Sequence, residues 1–127
     1  LNNVSLSSSL WIYAIHSNNP EVIQFLEDNH VLPYDKSYKE CFLESVKCYH
    51  NDIAYYIQNN LLEKSIKIDD LQSELVEYYN FNFLSDVIGN EKFFNCLCKY
   101  DYISLMNIII KNLNVNKAIN DIYLIII

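Results

Sequence analysis

Cys48 and His50 stand two positions apart in KCYHND, and Cys41 lies two helical turns earlier. A cysteine beside a histidine is the minimum for a thiolate nucleophile, and both are donors that zinc sites use. Zinc usually takes four such donors at tight spacing, and Cys41, Cys48, Cys96 and Cys98 form no paired CxxC pattern. Helical spacing puts Cys41 and Cys48 on one face, where a reduced thiol packs as a small apolar side chain. Cys96 and Cys98 differ by two positions, about 200° apart around a helix, so they cannot readily close on one ion. Core filler is the expectation for all four, with no metal and no cofactor.

The histidines, His16, His30 and His50, recur at turns, and His16 and His50 both fall between an inner and an outer helix. They could act as a pH switch; polar turn residues are the expected reading. Glu74 with Glu77, or Asp69 with Asp70, could be offered as an acid and base pair. Asp69 and Asp70, however, precede an apolar helix where carboxylates serve as N-terminal caps. General acid and base work needs a pocket, and the pattern implies none. The expectation is a protein that is not an enzyme.

The 127 residues carry 9 Lys+Arg against 16 Asp+Glu, a net charge of -7 that repels phosphate, so nucleic acid is not an expected partner. One glycine, Gly89, and two prolines, Pro20 and Pro33, leave little material for tight β-turns or phosphate-cradling loops. Helix is favoured by elimination. The apolar runs at 108–110 and 122–127 are far shorter than the roughly 20 residues a membrane span needs, so no membrane insertion is expected. Cysteines too sparse for a disulfide scaffold suit a reducing, cytoplasmic compartment. A start at LNNVSLSSSL, with neither Met nor a basic leader, reads as a piece of a longer chain.

The elements follow from apolar spacing. Leu10, Trp11, Ala14 and Ile15 recur at helical intervals behind Ser7, Ser8 and Ser9, which can cap the first turn. After a Ser17-Asn18-Asn19 turn, Pro20 and Glu21 suit the start of a second helix with Val22, Ile23, Phe25 and Leu26 as its apolar face. The plan then repeats 31 positions on. Phe42 falls on Trp11, Ser45 on Ala14, Asp52 on Glu21 and Ile57 on Leu26. Large stays large and small stays small, as it must where helices approach closely at one point and fill space at another.

A fainter third copy runs through Leu71, Leu75 and Val76 to Phe83, Leu84, Val87 and Ile88. A fourth has Phe93, Phe94, Cys96 and Leu97, then Ile103, Leu105, Met106, Ile109 and Ile110. Helix pairs that cannot bury an apolar face alone, repeated near 30 residues, predict an all-α solenoid. Its units are expected at 7–37, 38–68, 69–90 and 91–117, with part of a fifth at 118–127. That last piece includes DIYLIII, whose exposure would make a sticky end.

The stretch SLWIYAIHSNNPEVIQFLEDNH resembles an ankyrin unit, with Ser9 at the Thr, Trp11 at the Leu and Ala14 at the Ala of a T-P-L-H-x-A start. IIIKNLNVNKAIND resembles an outer helix running into an ankyrin finger, with Val115 and Asn116 at its Val-Asn pair. Leu10 stands in place of the Pro, Ile12 in place of the His, and His30 and Leu113 in place of the glycines that end outer helices. The pairing of the first two units is similar to an N-terminal domain of ankyrin-repeat proteins from parasitic protists. The resemblance implies a stack of antiparallel helix pairs with degenerate or missing β-hairpin fingers, further ankyrin repeats beyond residue 120, and protein–protein recognition.

Eleven tyrosines exceed what a thin helical stack can bury. Exposed rings next to charges suit recognition, because a rigid amphipathic ring buries area at low entropic cost; compositional bias would produce the same abundance. Tyr13, Tyr34, Asp35, Lys36, Tyr38 and Glu44 are the expected partner-binding residues. The expected function is a non-catalytic scaffold for another protein with a neutral or basic surface. The rival is a structural or capping piece of a larger assembly, for example a cytoskeletal one.

Overall fold

A computed structural model of the protein describes residues 5–83 and 91–112, and among these all regular structure is helical. The helices are α1 (Leu10–Ser17), α2 (Pro20–Asp28), α3 (Lys39–Lys47), α4 (Asn51–Asn60), α5 (Gln72–Glu77), α6 (Glu91–Lys99) and α7 (Ile103–Asn112). Short 3-10 turns cover Ile68–Leu71 and Phe81–Phe83. The chain divides into two compact units, residues 1–66 and 67–127.

In the first unit α1 packs on α2, α3 packs on α4, and α1 packs on α3. The 31-residue offset holds in burial as well as in residue type. Trp11 and Phe42 are fully buried, as are the pairs Ala14 with Ser45, Ile15 with Val46 and Leu26 with Ile57. The Trp11 indole N–H donates to the Val31 carbonyl at 2.7 Å, so burial of the ring leaves no orphan donor. In the second unit α5 packs on α6 and α6 on α7, around buried Leu71, Leu75, Val76, Cys96 and Leu97. The Tyr102 hydroxyl donates to the Val76 carbonyl at 3.1 Å, and its ring meets Tyr79 edge-on.

The turns among the described residues contain no glycine. Asn18, Tyr49, Tyr79 and Asp101, which follow α1, α3, α5 and α6, all adopt positive φ between 49° and 59°. After α3 the Tyr49 amide donates to Val46 and the His50 amide to Ser45; after α6 the Asp101 amide donates to Cys98 and the Tyr102 amide to Leu97. Each pair is a Schellman closure, which satisfies helix-end carbonyls and normally recruits glycine. His30, where the resemblance expects glycine, does the same for α2: it takes φ 54°, with its amide on Glu27 and the Val31 amide on Leu26.

Several expected details fall differently. No side chain of Ser9 caps α1; the Ser7 and Ser8 carbonyls accept from the Leu10 and Trp11 amides instead, and the Ser7 and Ser9 hydroxyls bond each other. Asp69 and Asp70 make no cap hydrogen bond, because they sit inside the 3-10 turn rather than ahead of it. Val22 and Phe25 are exposed, since the buried stripe of α2 is one residue wide per turn, Ile23 and Leu26. Ile103 is exposed at the start of α7. Cys48 is half-buried and Cys98 exposed, so only Cys41 and Cys96 are core filler. Leu84, Val87, Ile88, Leu113, Val115, Asn116 and the DIYLIII segment lie outside the described residues, as do the side chains of Phe93, Phe94, Ile109 and Ile110.

Candidate functional site

The six residues expected to bind a partner divide by role. Tyr13, on α1, is 69% exposed, and Tyr34, in the connector after Pro33, is 75% exposed. Lys36, two positions after Tyr34, is exposed and takes φ 52°. Asp35 works for the fold: its carboxylate accepts from the Tyr38 amide, the Glu40 amide and the Ser37 hydroxyl, which caps the start of α3. Tyr38 packs its ring edge-on to Trp11 with centroids 5.1 Å apart. Burial, with Glu27, Cys41 and Asp35 nearby, pushes its hydroxyl pKa up.

A second surface, on the outer helices, was not singled out by the sequence. Between α2 and α4 lies a groove of about 270 Å³, floored by Ile23 and Ile53 and walled by Pro20, Gln24 and Tyr56. Glu27 and Asp52 also line it, and exposed Val22, Phe25 and Tyr55 lie on the same two helices. The Tyr56 hydroxyl crosses from α4 to donate to Glu27 at 2.8 Å. That bond to a carboxylate, with burial behind it, raises the phenol pKa. The signal was present in the 31-residue offset, which sets Tyr56 on Phe25; Phe25 read as part of an apolar face because of its type.

Glu44, the sixth, belongs to a polar cluster on α1 and α3. The His16 imidazole Nε2 lies 2.7 Å from Glu44 Oε1, and Lys47 Nζ lies 3.7 Å from Oε2. Cys48, one helical turn past Glu44, has its sulfur 3.8 Å from the same Oε1. One nitrogen, one oxygen and one sulfur therefore lie within 4.8 Å of one another. The hydrogen bond from His16 holds the Glu44 carboxyl below the usual carboxylate range, so it is ionised and accepts from Nε2–H. Burial and then the Glu44 charge push the Cys48 thiol up, the reverse of what a thiolate nucleophile needs.

His50, the histidine nearest Cys48 in sequence, is engaged elsewhere: its Nδ1 bonds the Ile15 carbonyl at 2.8 Å. The imidazole that meets Cys48 and Glu44 is His16, 28 residues away from Glu44, which no local motif could announce. In the second unit, Asp69, Asp70, Ser73, Asn95, Cys96 and Lys99 line an open pocket of about 320 Å³. Gln72 lines it too, 3% exposed, and neither of its amide atoms has a hydrogen-bond partner among the described residues.

Compared with protein-family models, with curated proteins and with solved structures, the chain matches none.

Proposed function

We propose that the chain is a non-catalytic protein-binding scaffold built from ankyrin-like helix pairs, and that it takes a neutral or basic partner. The observation that carries this reading is the α2–α4 groove. Its lining is mainly apolar and also includes the acidic residues Glu27 and Asp52. An apolar side chain seated there, with Lys or Arg beside it, would bury area and meet the carboxylates at once. The net charge of -7 acts in the same direction at longer range, drawing basic partners in and repelling acidic ones.

Preorganisation supports the reading. The groove lies between packed helices whose ends are closed by hydrogen bonds, so little backbone entropy remains to be lost on docking. The occupant is therefore a segment of another protein that presents one apolar anchor flanked by basic residues. Tyr13 and Tyr34 offer further exposed area within the same unit.

A peptide-display selection on the purified chain tests this. It should enrich sequences with an apolar anchor beside Lys or Arg, and NMR shifts on binding should centre on Pro20, Gln24, Asp52 and Tyr56. Tyr56→Ala should weaken binding about tenfold or more, as central aromatic contacts do. Enrichment of acidic or featureless peptides, or shifts centred away from α2 and α4, would refute it.

A further inference from the structure

We propose that His16, Glu44 and Cys48 form a binding site for a divalent metal ion of the zinc class, which clips α1 to α3. The inference is independent of the docking groove, which lies between different helices.

Four features of the cluster carry it. The donors are chemically mixed: an imidazole nitrogen, a carboxylate oxygen and a sulfur. Sulfur and nitrogen donors select zinc-class ions over calcium and magnesium, which take oxygen alone. The geometry is already close. In a tetrahedral site with metal–ligand lengths of about 2.0–2.3 Å, neighbouring donors sit roughly 3.3–3.8 Å apart, and here all three atoms fall within 4.8 Å. The 3.8 Å between Cys48 sulfur and Glu44 Oε1 is near that spacing, while the 2.7 Å hydrogen bond from His16 must lengthen slightly.

The scaffold holds the donors on regular structure rather than on loops. Glu44 is on α3 and Cys48 is its cap residue one turn on, while His16 is in the last turn of α1. Access is open as well, since His16 is exposed and the other two are half-buried.

Charge and proton balance are simple. The metal ion, written M2+, replaces the thiol proton of Cys48, forms M–S, and releases one H+ to solvent. It also displaces the Nε2 proton to Nδ1 of His16, so the imidazole stays neutral. Glu44 Oε1 bonds the ion, and Oε2 stays towards the Lys47 ammonium. One thiolate and one carboxylate then neutralise the ion. Three protein donors leave a fourth position for water or for a donor from a partner.

Cobalt(II) provides the probe, because its thiolate complex absorbs in the near ultraviolet. The reduced, chelator-washed chain titrated with Co2+ should develop a thiolate-to-cobalt band that saturates at one equivalent, and equimolar Zn2+ should bleach it. Cys48→Ser should abolish the band, whereas Cys98→Ser should keep it. His16→Gln should weaken binding by more than the roughly 10–100-fold that loss of an outer-shell partner costs. His16 is exposed, so this variant keeps the fold, and the helical circular dichroism of each variant checks that it does. Zn2+ should also raise the unfolding temperature of the wild type and not that of His16→Gln. Absence of the band, its survival in Cys48→Ser, or equal affinity in His16→Gln would each overturn the proposal.

Discussion

His50 bonds Ile15 across 2.8 Å, from the residue before α4 to the last turn of α1 in the neighbouring helix pair. A carbonyl only accepts, so the proton is on Nδ1, and the ring's tautomer is set by the fold. The same carbonyl accepts from the Asn18 amide that closes the α1 turn. One peptide oxygen therefore joins the closure of one helix pair to the start of the next pair's outer helix.

His50→Ala should remove this link and cost about 1 kcal/mol, the net worth of a single intramolecular hydrogen bond. Urea unfolding should show a lower midpoint with an unchanged slope, because the surface exposed on unfolding is the same. His50→Asn, whose side-chain amide retains a donor, should recover part of the loss.

The left-handed residue at His30 gives a prediction of opposite sign. A non-glycine side chain at φ 54° costs about 1–2 kcal/mol in backbone sterics. His30→Gly should therefore stabilise the chain by about 1 kcal/mol, less whatever glycine adds to the entropy of the unfolded chain. Thermal unfolding measures it; an unchanged or lower midpoint would mean that the imidazole offsets the strain through a contact of its own.

Ala14 and Ser45 are buried at equivalent positions on two helices that pack together, next to fully buried Trp11 and Phe42. Ala14→Leu should overpack that layer and cost about 1–3 kcal/mol. Trp11→Ala and Phe42→Ala should each cost about 3–5 kcal/mol, because each leaves a large cavity. Similar losses for the two rings are expected from equivalent roles, and chemical denaturation of the variants compares them directly.

Thiol chemistry should rank the cysteines by burial. Cys98 is exposed and Cys41 is 1% exposed, with burial, Asp35 and Glu40 pushing its thiol up to about 12. A disulfide reagent at neutral pH should modify Cys98 first and Cys41 last, only as the chain opens. The Cys41 pKa is raised in the folded state, so its contribution to stability is complete below the ordinary thiol range and is lost as pH rises towards 12. Stability should therefore fall on the alkaline side, and Cys41→Ala should flatten that part of the profile.

Much of the first unit was legible because its periodicities agree. Helical spacing marked Trp11, Ala14 and Ile15, and the 31-residue repeat marked Phe42, Ser45 and Ile57. Side-chain type misled where type and environment part. Val22, Phe25 and Ile103 are apolar and exposed, because a helix buries only the stripe that meets its neighbour, and the stripe's width depends on how close that neighbour comes. Ser9 and Asp69 are good capping residues that do not cap, since nearby backbone carbonyls or a 3-10 turn occupy those places.

What the sequence determined by itself was helix, its spacing and the equivalence of the first two helix pairs, all of which depend on neighbours within a few residues or on a constant repeat. Tertiary structure alone decided that His16 meets Glu44 and Cys48, that His50 turns to Ile15, and that α2 and α4 leave a groove between them. The physical reason is range. A hydrogen bond or a wall of a groove is set by a few ångströms in space between residues about thirty positions apart, and no local pattern in the chain records that distance.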